Sequence, residues 1–251
     1  MKAAAGGWLT VQIAPWLGAR AKAIFPSIRL AQQAVGELLA DVATVVTQDL
    51  GDPLNPPPYR SMHPRNKTVV GDRLAAAALA LGMIDASQHG DDRAVAAEWG
   101  GPRFSYLKRT TETAFEVGLT AASGLHLGGS DKCQDAATDD SGGVRPSDQR
   151  CCAAADTFQL WPTLAASEGK NLSAASNVQC AAAGGDGGRA SLRCTSGRPI
   201  PDGAVWTFAF HNFPPCLLKN EQLQVASPMR AIVPTKVGAT HGAAGASGWL
   251  P

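Results

Sequence analysis

The sequence lacks the features that would place the protein in a membrane or on nucleic acid. No apolar run approaches the roughly 20 residues that a membrane-spanning helix needs. No cluster of Lys and Arg stands out in a chain whose formal net charge is +1. Phosphate binding requires concentrated positive charge, so we do not expect nucleic acid as a partner. Without a long apolar run, we do not expect a membrane as a partner either. The N-terminus, MKAAAGGWLTVQIAPW, also lacks the continuous apolar core of a signal peptide, since Gly and Pro interrupt it.

Cysteine is missing from the first half of the chain and clustered in the second half. No pair has CxxC spacing and no His lies nearby at zinc-finger spacing, so we expect no metal site. An even number confined to one region favours disulfides formed in an oxidising compartment, although the spacing leaves the pairing open. The alternative is a set of unrelated buried thiols. The six residues are Cys133, Cys151, Cys152, Cys180, Cys194 and Cys216.

Two glycosylation acceptor triplets agree with a secretory route. They are Asn66-Lys67-Thr68 and Asn171-Leu172-Ser173. Together with the cysteines they predict that the full-length protein is a secreted, lysosomal or endomembrane-lumen glycoprotein. The sequence itself shows no export signal.

Residues 1–88 have the pattern of an α/β fold. Short apolar runs at 11–13 and 42–47 predict buried strands, and a helix is predicted to begin near Pro26. A second helix is predicted between Pro64 and Gly82, a residue type that commonly ends helices. Strand, helix, strand, loop and helix in this order are typical of the last part of a wound α/β domain.

The character of the chain changes after a linker predicted at residues 89–103. Alternating runs at 115–119 and 205–210, separated by Gly-, Asp- and Ser-rich stretches, predict an all-β, sandwich-like domain over 104–236. The polar, Gly-rich stretches at 129–150 and 181–190 predict poorly ordered loops. The Gly-, Ala- and Ser-rich residues 237–251 predict a disordered tail.

Several separated blocks resemble, in order and spacing, the sialate O-acetylesterase family. The most specific is the histidine block SMHPRNK at residues 61–67, followed by Gly71 and by Arg73-Leu74-Ala75. The match covers about residues 8–82 and 203–232, and the middle of the chain matches only loosely. The other blocks are VQIAPW at 11–16, FPSIR at 25–29, DLGD at 49–52, FAFHNFP at 208–214, CLL at 216–218 and ASPMR at 226–230.

The resemblance implies an SGNH-type serine esterase that hydrolyses acetyl esters of sialic acid or of a related sugar. Residues 1–88 would be the C-terminal part of its flavodoxin-like, three-layer hydrolase domain, and no cofactor or metal would be needed. His63 would be the general base, since a neutral imidazole can take the proton of an attacking serine. The third catalytic residue stays open: either Asp52 or Asp49 could orient the ring, or both could simply cap a turn.

Two further assignments concern substrate contacts. Arg65 could bind the carboxylate of an acidic sugar, because guanidinium groups pair well with carboxylates; the alternative is a solvated helix N-terminus. Trp161 and Trp206 could stack on sugars, or they could fill the core of the β domain.

The block that should carry the nucleophilic serine in this family is missing. Gly129-Ser130 and Gly245-Ala246-Ser247 lie in loop-like segments with no strand before them, so neither has the pattern of a nucleophile elbow. We therefore expect an N-terminally truncated chain that is inactive alone and has the missing esterase segment as a partner. The alternative is a non-catalytic remnant whose β domain binds sugars or other proteins.

Overall fold

A computed structural model describes residues 6–16, 24–52, 55, 61–84, 99–129, 157–168, 175–185, 187–210, 216–221 and 225–242. Within these residues, helices are few and most strands are antiparallel. None of the helices found there has both the length and the apolar character needed to cross a bilayer. The elements are β1 (Trp8–Val11), α1 (Ile24–Leu38), β2 (Val42–Val45), α2 (Thr68–Ala80), β3 (Arg103–Arg109), β4 (Ala114–Thr120), β5 (His126–Gly129), β6 (Phe158–Trp161), α3 (Leu164–Glu168), β7 (Ser176–Asn177), β8 (Gln179–Ala183), β9 (Arg189–Thr195), β10 (Val205–Phe208), β11 (Cys216–Lys219), β12 (Met229–Ile232) and β13 (Thr240–Gly242).

The first part of the structure, residues 6–84, is built on a parallel pair of strands. β1 and β2 pair from Trp8↔Val42 to Val11↔Val45, and α1 and α2 both contact them. Ala43 and Val45 are fully buried against Ala77 of α2. We call this region the α/β part.

Both predicted helices are present, and their ends follow the expected signals. Pro26 occupies the first turn of α1, where the missing N–H needs no partner within the helix. After α2, Gly82 adopts a φ of 68°. That conformation lets the Met83 N–H reach the Ala78 carbonyl at 2.9 Å and close the helix end.

The predicted strands of this region are present with shifted bounds. The strand expected at 11–13 lies at 8–11, and the one expected at 42–47 ends at Val45. Beyond these strand ends, Gln12 and Thr47 still join the two segments by hydrogen bonds. The Gln12 N–H and carbonyl take part in these bonds, and so does the Thr47 hydroxyl. Apolar runs in the sequence show where a strand is buried, not where its ladder stops.

The second part, residues 99–242, contains two larger antiparallel sheets and is called the β part. One sheet has the order β13-β3-β4-β9-β8 and the other β12-β10-β6-β7, while β11 pairs with β5. Phe115 from the first sheet meets Trp206 from the second at a centroid distance of 6.4 Å. The core lies between these sheets, and Val46 of the α/β part joins it.

One predicted loop and part of the predicted tail are strands in the structure. Residues 181–190, expected to be poorly ordered, contribute to the β8–β9 hairpin, whose turn uses the positive φ of Gly187 and Gly188. In the expected tail, Thr240–Gly242 pairs with β3. Ladder hydrogen bonds come from the backbone, so Ala, Gly and polar residues can form an edge strand where a partner is available. Residues 130–150 and 243–251 lie outside the described residues.

A disulfide is confirmed in the β part. Cys180 and Cys194 stand opposite each other in the β8–β9 register and are bonded. Cys133, Cys151 and Cys152 lie outside the described residues, as does the side chain of Cys216.

Candidate active site

The carboxyl ends of β1 and β2 are joined by polar groups that are buried. The Gln12 N–H donates to the Val45 carbonyl at 2.9 Å. The Thr47 hydroxyl donates to the Gln12 carbonyl at 2.6 Å. Arg29 of α1, fully buried, donates from Nε to the Ile13 carbonyl at 2.9 Å. The chain leaving each strand is therefore fixed at the edge where α/β sheets place their functional residues.

Asp49 ties α2 to the end of β2. Arg73 donates from Nη1 to Asp49 Oδ1 at 2.7 Å and from Nη2 to Oδ2 at 2.5 Å. The same Nη1 donates to the Val46 carbonyl at 2.7 Å. Both side chains are largely buried, so they form a bidentate ion pair that is shielded from water. Loss of either partner would leave the other charge buried and unpaired.

The loop carrying His63 is attached at three points to the turn that follows β2. The Asp52 N–H donates to the Ser61 carbonyl at 2.9 Å, and Asn55 Nδ2 donates to the His63 carbonyl at 2.6 Å. Arg65 donates from Nε to Asp52 Oδ2 at 2.5 Å and from Nη2 to Oδ1 at 3.2 Å. The chain before His63 is thus held by the Asp52 N–H, the His63 carbonyl by the Asn55 side chain, and the chain after it by the ion pair between Arg65 and Asp52.

Exposure separates the members of this cluster. Asp52 is fully buried, whereas the Arg65 side chain is 59% exposed. The hydrogen bond from Arg65 to Asp52, reinforced by the opposite charge, raises the pKa of the Arg65 guanidinium above its usual value. His63 is exposed. A buried carboxylate, a half-exposed cation and an exposed imidazole therefore share one loop.

The structure brings together three of the four residues that the sequence singled out. Asp52, His63 and Arg65 belong to the same anchored loop, and Asp49 lies just before it with both carboxylate oxygens on Arg73. An exposed imidazole with a fixed backbone can accept a proton from a nucleophile that approaches from solvent.

Sequence reasoning missed Asn55 and the role of Arg73. Asn55 stands three residues after Asp52, and its backbone N–H donates to the Asp52 carbonyl at 3.1 Å. An Asx-type residue in a Pro-rich loop is a signal for a turn that holds nearby main chain. Arg73 lies in the block that resembles the family, but its distance to Asp49 depends on how α2 folds back onto β2.

The aromatic residues considered for sugar stacking are core residues. Trp161 is buried and donates from Nε1 to the Thr207 hydroxyl at 3.0 Å. Trp206 is fully buried and stacks on Phe158 at a centroid distance of 6.3 Å. Of the two alternatives left open by the sequence, the structure supports the core role for both.

A small cleft elsewhere in the molecule does not include the predicted site residues. It has a volume of about 30 Å³, and its walls are formed by α1, the chain entering β3 and residues 227–229. Burial raises the pKa of Glu37 and lowers that of Arg103, and the charge of each partly offsets the shift of the other. The cleft can hold a water molecule but not a sugar. Within the described part of the chain, no group of three or more His, Cys, Asp or Glu is arranged to bind a metal.

Comparisons with known proteins identify no family. No protein-family model matches the chain, and no curated protein matches it. Among solved structures, the S-layer protein rSbsC(31-844) is similar at 13% identity and a TM-score of 0.34, over 86% of this chain. The chain spans 23% of the length of that S-layer protein. A TM-score this low says nothing about the fold or function of the chain.

Proposed function

We propose that this chain is the base-bearing part of an SGNH-type carbohydrate O-acetyl esterase similar to the sialate O-acetylesterases. The observation that carries the proposal is the attachment of the His63 loop to the carboxyl end of a parallel strand pair, with the histidine exposed. Such an edge is where catalytic residues of α/β hydrolases are presented. The sequence blocks that resemble the family include this same loop.

The proposed reaction has two stages, and in each of them His63 accepts a proton and then passes it on. A serine hydroxyl attacks the acetyl carbonyl while the imidazole takes the hydroxyl proton, and the imidazolium returns that proton to the departing sugar oxygen. Water then attacks the acetyl-serine while the neutral imidazole takes a proton from that water, and the imidazolium gives this proton to the departing serine oxygen. Acetate and the deacetylated sugar are the products.

The contacts favour Asp52 over Asp49 as the residue that orients the imidazole. Both oxygens of Asp49 bind Arg73, which ties this carboxylate to α2. Asp52 belongs to the His63 loop, because its N–H binds Ser61 and its carboxylate binds Arg65. A carboxylate has about four lone-pair positions, so Asp52 can accept a bond from an imidazole in addition to those from Arg65.

The serine must come from another segment in this proposal. Among the serines that the structure describes, none joins a strand directly to a helix in the manner of a nucleophile elbow. In this proposal the substrate is an acetylated sugar, and the largely exposed guanidinium of Arg65 would meet a sugar carboxylate. The disulfide between Cys180 and Cys194 agrees with a secretory compartment.

The outer edge of β1 is the surface that we propose for the serine-bearing segment. The N–H groups of Trp8 and Gln12 point toward β2, where they donate to the Asp41 and Val45 carbonyls. Alternation therefore directs the N–H groups of Leu9 and Val11 to the opposite side. Gln32 covers one end of that side, because its amide accepts from the Ile13 N–H at 2.8 Å and donates to the Val11 carbonyl at 3.2 Å.

Exposed apolar side chains flank this edge. Trp8 is 75% exposed, Ile28 and Val35 are exposed seven residues apart on one side of α1, and Leu39 directly after the helix is exposed as well. Parallel strands in α/β proteins are normally covered on both faces and continued by further strands. A strand and a helix from the serine-bearing segment would supply both kinds of contact.

The test extends the chain upstream. The in-frame genomic sequence before Met1 is added, and release of acetate from O-acetylated sialic acid and from an acetylated neutral sugar is measured. We expect activity only in the extended protein, and His63→Ala should lower kcat by about four to six orders of magnitude. His126→Ala, at another exposed histidine, is the matched control and should keep full activity.

Two results would overturn the proposal. One is near-normal turnover in the extended His63→Ala protein. The other is esterase activity of the present chain alone that His63→Ala leaves unchanged, since that would place the nucleophile and base elsewhere. A stop codon directly upstream of Met1 would instead support the remnant alternative.

A further inference from the structure

Two buried glutamines connect the β part to the carboxyl edge of the strand pair. Gln12 directly follows β1, and its Nε2 donates to the hydroxyl of Ser227 in the β part at 2.7 Å. Gln48, three residues beyond β2, donates from Nε2 to the Ala209 carbonyl at a longer 3.5 Å. Both glutamine side chains are 1% exposed. Each bond joins positions that are more than 160 residues apart in the chain.

These glutamines are linked to each other and to the histidine loop. Thr47 donates its hydroxyl proton to the Gln12 carbonyl at 2.6 Å, so the two strand ends are bonded directly. Gln48 precedes Asp49, which Arg73 holds. Asp52 then anchors the His63 loop. A shift at either glutamine is therefore passed through a short, tightly bonded segment to the loop that carries His63.

Stability alone does not explain these residues. The Oε1 atoms of Gln12 and Gln48 are buried and have no hydrogen-bond partner among the residues that the structure describes. An unpaired buried acceptor destabilises a fold, and an apolar residue of similar shape would avoid that cost. The two glutamines are therefore better explained by the position in which their amide groups are held than by a gain in stability.

Ala209 shows the same preference for position over local stability. Its φ is 51°, in the left-handed region that favours glycine. Its N–H donates to the Thr157 carbonyl at 2.9 Å, and its own carbonyl accepts from Gln48. Strained backbone that is held on both sides is typical of functional sites.

We infer that the β part positions the esterase site, with Ser227 and Ala209 fixing Gln12 and Gln48 beneath the edge that carries His63. This inference rests on the proposed function, and it makes Gln12, Gln48 and Ser227 positioning residues. The β part is then required for turnover itself, in contrast to a sugar-binding module that only recruits substrate.

The first experiment needs no esterase activity. Amide hydrogen exchange is measured on the chain with Ser227→Ala, which removes the nearer acceptor of the Gln12 amide and leaves the Arg29 carbonyl at 3.3 Å. We expect exchange at residues 45–52 and 61–65 to accelerate about five- to ten-fold, the effect of one lost hydrogen bond. Exchange in β4 and β9 should stay unchanged. Ser167→Ala is the matched control, because Ser167 is also buried and its hydroxyl donates to the Leu164 carbonyl within α3.

Equal exchange at residues 45–52 and 61–65 in Ser227→Ala and Ser167→Ala would overturn the inference. Ser227→Thr keeps a hydroxyl and should restore the protection lost in Ser227→Ala. Failure of this rescue while the thermal unfolding temperature is retained would also contradict the inference.

The second experiment separates positioning from binding in the extended, active protein. Ser227→Ala should lower kcat about ten-fold with KM unchanged, since misplacing the base affects the transition state more than the bound substrate. A rise in KM with kcat unchanged would overturn the positioning role. If the extended protein has no esterase activity at all, the proposed function fails, and the exchange result still decides whether the β part fixes this edge.

Discussion

The α/β part and the β part differ in how completely they bury their apolar surface. The core of the β part includes large side chains such as Phe158, Trp206 and Phe208, all at most 1% exposed. The fully buried apolar cluster of the α/β part consists of Ala43, Val45 and Ala77. Of the nine large apolar side chains that are exposed in the described residues, seven lie between residues 8 and 84. The open surface therefore belongs to the α/β part.

The candidate site stands on the part that is less able to stabilise itself. His63 and its anchors depend on a two-stranded sheet that is open along β1, while the β part supplies the larger core and two hydrogen bonds from below. Isolated pairs of strands are marginal in water. The comparison predicts that coverage of β1 controls activity, whereas changes inside the β part, away from Ser227 and Ala209, chiefly alter stability.

The largest effect is expected from a substitution that prevents another strand from pairing with the open edge of β1. Val11→Pro removes an N–H that points away from β2, so a strand added at this edge would lose a ladder hydrogen bond. Val11 is 41% exposed, so the chain itself should lose little stability. Association with a separately expressed serine-bearing segment should weaken at least about 100-fold, measured by titrating esterase activity.

Val11→Ala is the control for this variant, because it trims the side chain and keeps the N–H. Association close to that of the unchanged chain is expected with Val11→Ala. Equal binding by the proline and alanine variants would show that another surface receives the segment.

How much of this arrangement the sequence could predict depends on the range of the interactions. The two helices of the α/β part follow from periodicity and from Pro26 and Gly82, which are local signals. The strands β4 and β10 follow from alternation. The β8–β9 hairpin could not be predicted, because Ala- and Gly-rich residues become strands there only through pairing with neighbours and through the Cys180–Cys194 bond.

The same distinction applies to the candidate site. The histidine block is a contiguous motif, so His63 and Arg65 could be selected from the sequence. The bond between Gln12 and Ser227 spans 215 residues, and no local pattern encodes it. The choice between Asp49 and Asp52 needed their arginine partners, which lie on elements whose packing the sequence does not give.

The next effect tests whether the α/β part unfolds separately. Asp49→Ala leaves Arg73 buried without its carboxylate, a change that costs about 3 kcal/mol for pairs of this kind. We expect exchange in α2 to accelerate strongly while β9 stays protected. Replacing both partners, as Asp49→Leu with Arg73→Met, should recover much of the stability. A uniform loss of protection across both parts would break the distinction between them.

A slightly smaller effect is expected from the disulfide of the β part. Cys180 and Cys194 enclose a loop with a sequence separation of 14, and replacing both by Ala should cost about 2–3 kcal/mol. Denaturant unfolding followed by tryptophan fluorescence measures the loss, and exchange in α2 should not change. In the exported protein, thiol counting without reduction should find fewer than six thiols; six would contradict the bond.

The smallest effect distinguishes two strained alanines. Ala121 and Ala209 have φ values of 50° and 51°, and glycine at either position should stabilise the protein by roughly 0.5–1 kcal/mol, since relief of strain exceeds the added entropy of the unfolded chain. Only Ala209 bonds to a glutamine beneath the candidate site. In the extended protein, Ala209→Gly should therefore lower kcat a few-fold while Ala121→Gly leaves it unchanged. Equal kcat in the two variants, with both stabilised, would show that the backbone of Ala209 serves the β part alone.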